Sequence, residues 1–164
     1  MKVFTPYFAS GTEYRRLNQR ERGGQRWLYV TLVDIEVGFA EKIVADRFHL
    51  LDRRDFEWGT ISPTTIRVRK GYAWNGSSCS PDFRGNMLAS LVHDLLYQFS
   101  GCRDFPATIT RGWADSMFYA ICRKEGFALR PLYRLGLWLG GWSCWARPPV
   151  AGEHVEVAYQ LPKS

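Results

Sequence analysis

The stretch M-L-A-S-L-V-H-D-L-L-Y-Q-F-S, Met87 to Ser100, decides how this chain is to be read. Met87, Leu88, Leu91, Val92, Leu95, Leu96 and Phe99 recur at i, i+3 and i+4, which predicts an amphipathic helix with a broad apolar face. Gly101 follows as its stop. Inside that apolar run stand His93 and Asp94, side by side. An unpaired charge is costly to bury, so both need a satisfier: a metal, a catalytic water or a hydrogen-bond network. Just upstream, T-I-R-V-R-K from Thr65 to Lys70 alternates Ile66 and Val68 with Arg67 and Arg69, a strand pattern. The hydrophobic period therefore changes near Gly71, and with it the secondary structure.

Working outward, W-L-Y-V-T-L-V-D-I-E-V (Trp27 to Val37) and Lys42 to Leu51 also read as strand. Residues 1–26, Arg-rich and punctuated by glycine, read as an irregular arm. After the His93 helix, Pro106 opens a second helix over Ala107 to Glu125, stopped by Gly126. A third apolar segment runs from Leu129 to Trp145, and the tail from His154 to Leu161 alternates as an edge strand would. No repeat or linker divides the 164 residues, so one domain is expected. Its parts are an arm (1–26), a strand-rich segment (27–70), a loop with helices (71–147) and a tail (148–164). The predicted class is α+β: a small antiparallel sheet from the N-terminal half, packed beside about three helices.

Composition bounds the function without choosing it. A hydrophobic fraction of 46% with 7 Trp, 8 Tyr and 10 Phe excludes a disordered chain. Net charge is +6, which suits an anionic partner such as a lipid surface or nucleic acid. Arg15, Arg16, Arg20, Arg22 and Arg26 would serve nucleic acid, but no aromatics are interleaved for base stacking, so a solvated arm is expected instead. Cys79, Cys102, Cys122 and Cys144 form no C-x-x-C pair, which speaks against a zinc knuckle; two disulfides are arithmetically possible, and buried free thiols are the plainer reading. The start M-K-V-F-T-P-Y-F has no sustained apolar run, so no signal peptide is expected and the chain would be made in the cytoplasm.

The chemistry-bearing residues lie close together in sequence. At about 100° per residue, His93 and Tyr97 share one helix stripe while Asp94 faces elsewhere. Asp115, in W-A-D on the next helix, is the natural partner of the imidazole, since a carboxylate on one ring nitrogen fixes the tautomer and raises the basicity of the other. Asp94 is then free for a cation. Asn75, Gly76 and Ser77, in the turn of W-N-G-S-S-C-S-P-D (Trp74 to Asp82), offer amide, carbonyl and hydroxyl oxygens of the kind calcium takes.

This ordered set resembles the active centre of secreted phospholipases A2, most closely their bacterial and fungal branch. There a D-G loop precedes H-D-x-x-Y, and a second aspartate follows on an antiparallel helix. The resemblance implies His93 as the base that deprotonates water, Asp115 as its orienting partner and Tyr97 as support. It also implies Ca²⁺ held by Asp94, Asn75, Gly76 and Ser77. Gly71-Tyr72, Asn75-Gly76, His93-Asp94, Leu96-Tyr97 and Ala114-Asp115 are also similar to the pattern of an uncharacterised phage and prophage protein family, over roughly residues 71–127. That likeness implies a phage context and virion association without naming an activity.

Two functions of different class follow: a calcium-assisted ester (phospholipid) hydrolase, or a non-enzymatic virion or morphogenesis protein in which the same residues lock a helix pair. Its partners would be an anionic lipid surface in the first case and other phage structural proteins in the second. A metal phosphohydrolase would need an earlier ligand, for which His49 is the candidate, although His49 lies in a strand-like segment. Within Leu129 to Trp145, Trp138, Trp142 and Trp145 could sit at lipid head-group depth with Arg130, Arg134 and Arg147 on phosphates. The alternative is a third core helix that covers the His-Asp pair and packs on the sheet.

Overall fold

The computed structural model describes residues 6–9, 13–18, 28–40, 53–77, 81–100 and 109–141. The predicted strand at Lys42–Leu51, the stop at Gly101, Pro106, the tail strand at His154–Leu161, and Cys79, Cys102, Cys144, His49 and His154 lie outside them.

The class is α+β, with one difference from expectation: the strands form two antiparallel sheets rather than one. The first contains β1 (Pro6–Ala9), β4 (Ile35–Phe39), β5 (Arg54–Asp55), β6 (Gly59–Ile61) and β7 (Thr65–Val68), in the order β1-β4-β7-β6-β5. The second contains β2 (Tyr14–Arg16), β3 (Tyr29–Thr31) and β8 (Ala73–Trp74), in the order β2-β3-β8. The cause lies in the predicted strand Trp27–Val37, which breaks at Leu32 and Val33. Asp34 holds the break: its carboxylate accepts the Lys70 backbone N–H at 2.7 Å and pairs with the Arg67 guanidinium. Residues before the bend therefore join one sheet and residues after it join the other.

The segment expected to be an irregular arm contributes β1 and β2, so that expectation is corrected. Backbone pairing carries both strands: β1 runs along β4, and Tyr14, Arg15 and Arg16 sit opposite Thr31, Val30 and Tyr29. A short polar run such as Y-R-R has little hydrophobic alternation from which to predict a strand. In the larger sheet the alternation does its expected work. Ile35 faces Val68 and Val37 faces Ile66 on the core side, while Glu36 faces Arg67 on the other.

Three helices follow a 3₁₀ turn at Arg84–Asn86: α1 (Met87–Phe99), α2 (Arg111–Lys124) and α3 (Arg130–Gly140). Helix α1 is the centre of the molecule. It lies so close to the larger sheet that a Cβ on Gly59 would come within 2.8 Å of Leu95, which is why a glycine stands there. Phe56 and Phe99 stack at 6.0 Å at its far end. It meets the smaller sheet through Trp74, fully buried, whose indole N–H donates to Ser90 Oγ at 3.2 Å.

Helix α2 begins at Arg111, not at Ala107, because the Thr110 hydroxyl caps it by accepting the Trp113 N–H at 3.3 Å. It ends as expected at Gly126, whose φ of +70° lets the Phe127 N–H reach back to the Cys122 carbonyl. Cys122 is a buried free thiol, its pKa pushed up to about 12 by burial. Helix α3 departs from the core-helix alternative. None of its residues is buried, and only Tyr133 and Leu137 pack on the core. Among the described residues, no helix is long and apolar enough to cross a membrane.

Candidate functional site

Helices α1 and α2 run antiparallel, with Phe118 beside His93 and Arg111 beside Tyr97 at the other end of the contact. Between those points Asp115 meets α1. His93 Nε2 lies 3.0 Å from Asp115 Oδ1, and the Tyr97 hydroxyl donates to the same oxygen at 2.6 Å. The one-turn spacing of His93 and Tyr97 makes this possible, because both side chains project from one stripe toward a single carboxylate. Their rings lie 4.0 Å apart.

Arg111, which the sequence reading missed, approaches the other oxygen of Asp115: its Nη1 is 3.6 Å from Oδ2 and also donates to the Leu137 carbonyl of α3 at 3.1 Å. The i, i+4 spacing of Arg111 and Asp115 was the available signal. At the end of α3 the packing is close, since a Cβ on Gly141 would lie 2.6 Å from the Tyr97 hydroxyl.

The opposite side of the imidazole faces Asp94. His93 Nδ1 is 3.9 Å from Asp94 Oδ1, beyond hydrogen-bond reach, as the angular separation of adjacent helix residues requires. Burial increases inward: the side chain of His93 is 7% exposed, Asp115 14% and Asp94 17%. Asp94 also accepts the backbone N–H of Asn75, so the loop after β8 and the helix carboxylate are brought together.

The rest of the loop turns elsewhere. Ser77 donates its backbone N–H to Asp82 Oδ1 at 2.6 Å, and the Tyr29 hydroxyl donates to Asp82 Oδ2 at 2.9 Å. Gly76, at φ +78°, lies so near that a Cβ there would come 2.4 Å from Asp82 Oδ1. Asp82, the last residue of the quoted loop motif, is thus a second residue the sequence reading left without a role.

These contacts set the protonation states. For His93, burial works against the charged form. The hydrogen bond to Asp115 and the nearby charge of Asp94 outweigh it and hold the imidazole above its ordinary 6.5. For Asp115, burial favours the neutral acid, but the bonds from His93 and Tyr97 prevail and keep it below 3.8. Asp94 goes the other way: burial, joined by repulsion from Asp82, lifts it above 3.8 despite His93 and the Asn75 N–H. Tyr97 is raised by burial and by its bond to Asp115, so it stays a neutral donor.

Of the residues expected to hold a cation, Asn75 and Asp94 are brought together, whereas Gly76 and Ser77 face Asp82. Asn75 Oδ1 is buried without a hydrogen-bond partner among the described residues, on the same residue whose N–H reaches Asp94. An unpartnered amide oxygen is a donor of the kind a hard cation such as Ca²⁺ takes. No group of three or more His, Cys, Asp or Glu is placed to hold a metal among the described residues. A calcium site built from one carboxylate with amide and carbonyl oxygens needs no such group.

Set against models of known protein families, curated proteins and solved structures, the chain matches none of them.

Proposed function

We propose that this centre hydrolyses an ester, with His93 as general base, Asp115 as its orienting partner and a Ca²⁺ ion at Asp94 and the Asn75–Ser77 loop. One observation carries the reading. Nε2 is engaged with Asp115 at 3.0 Å, while Nδ1 faces Asp94 at 3.9 Å without bonding to it. With its proton on Nε2, the ring offers the Nδ1 lone pair as a base. Nδ1 takes a proton from water as the water oxygen attacks the acyl carbon. The ester C–O bond then breaks, and the same proton passes to the departing alkoxide, giving acid and alcohol. Asp115 stabilises the imidazolium between those steps, and Tyr97 and Arg111 hold Asp115 ionised. Bound calcium would supply polarisation of the ester carbonyl.

A second reading is favoured by the shared use of Asp115. Two donors on one oxygen, Arg111 near the other and tight packing at Gly141 would equally lock α1, α2 and α3 together, as in a non-enzymatic virion or morphogenesis component. His93→Gln separates the two. As a lost base it lowers ester hydrolysis by about 10² or more with the fold nearly intact. As a lost structural member it mainly destabilises the fold, by about 1–3 kcal/mol. Wild-type protein that turns over neither a phospholipid nor a short-chain ester, with or without Ca²⁺, would remove the hydrolytic reading.

A further inference from the structure

Helix α3 carries its apolar side chains outward. Leu132 is 65% exposed, Leu135 53%, Trp138 65% and Leu139 66%. On a helix of about 100° per residue these four span one continuous face. The opposite face is anchored in two places: the Tyr133 hydroxyl donates to the Pro81 carbonyl, beside Asp82, and Arg111 donates to the Leu137 carbonyl at 3.1 Å. The helix cannot simply roll inward to bury its leucines without breaking both bonds.

Charge indicates what the face meets. From Gly126 to Gly152 the sequence contains no Asp or Glu and three arginines, Arg130, Arg134 and Arg147, in a chain of net charge +6. Arg130 and Arg134 lie over the Tyr119 ring of α2 at 5.9 and 5.0 Å, and Arg134 stands one helical turn before Trp138. A short helix with leucines and a tryptophan outward, arginines at its flank and no acid is suited to lie in an anionic lipid interface.

We propose that the Leu132–Leu135–Trp138–Leu139 face of α3 is a docking surface for anionic lipid. The helix lies in the interface with its leucines and Trp138 among the acyl chains and its flanking arginines at the phosphates. The docking surface stands on the helix itself. Its consequence, that the ester reaching His93 is lipid-borne, rests on the hydrolytic reading above, since α3 borders the centre at Arg111 and Gly141.

The test is co-sedimentation of the full-length protein with vesicles of phosphatidylglycerol and phosphatidylcholine, and with phosphatidylcholine alone. Wild type should bind the anionic vesicles preferentially. The double variant Leu135→Glu, Leu139→Glu should bind them at least about tenfold more weakly, with an unchanged circular dichroism spectrum because both sites are exposed. Trp138→Ser, a milder change, should weaken binding in the same direction. Absence of wild-type binding, indifference to lipid charge, or undiminished binding by the double variant would each overturn the proposal. So would a concentration-dependent dimer in sedimentation that the double variant abolishes, which would give the face to a second copy. His93→Gln should bind vesicles as wild type does. Binding without any hydrolysis would therefore end the catalytic reading alone, and hydrolysis of a dispersed short-chain ester without binding would end this one alone.

Discussion

Helices α1 and α3 are built from similar residues and meet opposite fates. Of the 13 residues of α1, 11 are buried, including a histidine and a serine, whereas none of the 11 residues of α3 is, although six of them are Leu, Trp or Tyr. Apolar content therefore does not decide burial here. What decides it is whether a helix has neighbours on all sides. Helix α1 lies between the larger sheet, Trp74 of the smaller sheet and α2, so even its polar residues are enclosed and must find partners. Among the described residues, helix α3 packs chiefly on α2 and leaves Leu132, Leu135, Trp138 and Leu139 exposed.

The largest effect expected from that contrast is in the core of α1. Leu91→Ala removes a fully buried side chain and should lower the unfolding free energy by about 2–5 kcal/mol in urea titration. A loss below about 1 kcal/mol would mean that α1 is not the enclosed helix described above.

Next comes the polar partner that makes burial of His93 tolerable. Asp115→Ala removes the acceptor shared by His93 and Tyr97 and the carboxylate beside Arg111, and should cost about 2–3 kcal/mol. Its pH dependence has a definite sign. A raised His93 pKa contributes stability that is complete below its ordinary 6.5 and fades as pH rises through the folded value. A lowered Asp115 pKa contributes stability that is complete above its ordinary 3.8 and fades as pH falls through the folded value. The difference between wild type and Asp115→Ala should thus be greatest between those two values and shrink on either side. A difference that grows steadily toward alkaline pH would contradict the ion pair.

A smaller effect is expected in the loop that follows β8. Gly76→Ala forces a side chain into the left-handed backbone region and against Asp82, which Tyr29 and Ser77 hold in place. About 1–2 kcal/mol should be lost. Unchanged thermal stability in Gly76→Ala would show that the loop relaxes freely around Asp82.

The smallest effect sharpens the comparison from the other side. Leu135→Ala in α3 should alter stability by no more than about 0.5 kcal/mol, because a side chain 53% exposed has little packing to lose. The same substitution, leucine to alanine, would then differ severalfold in cost between two helices of one small chain.

Much of this was legible beforehand. The period change near Gly71, the apolar stripe of Met87 to Phe99 and the spacing of His93, Tyr97 and Asp115 were sufficient to place strands before helices and to pair the histidine with the later aspartate. These are local quantities: periodicities of 2 and 3.6 residues, and side chains one turn apart on one stripe. Other features were not legible, because each depends on groups far apart in the chain. Asp34 breaks the first long strand through a bond to Lys70, 36 residues later. The same break divides the strands into two sheets. Asp82 gains its role from Tyr29 and the folded-back Ser77, and Arg111 from meeting both Asp115 and the backbone of α3.

By itself, then, the sequence determined the class, the helices and the His93–Asp115 pairing, since burying a histidine in an apolar helix demands a partner at a reachable spacing. The tertiary structure alone decided the division into two sheets, the approach of Gly76 and Ser77 to Asp82, and the outward leucines of α3. Hydrophobicity tells a side chain what it prefers. Only the arrangement of the whole chain determines whether there is anything for it to be buried against.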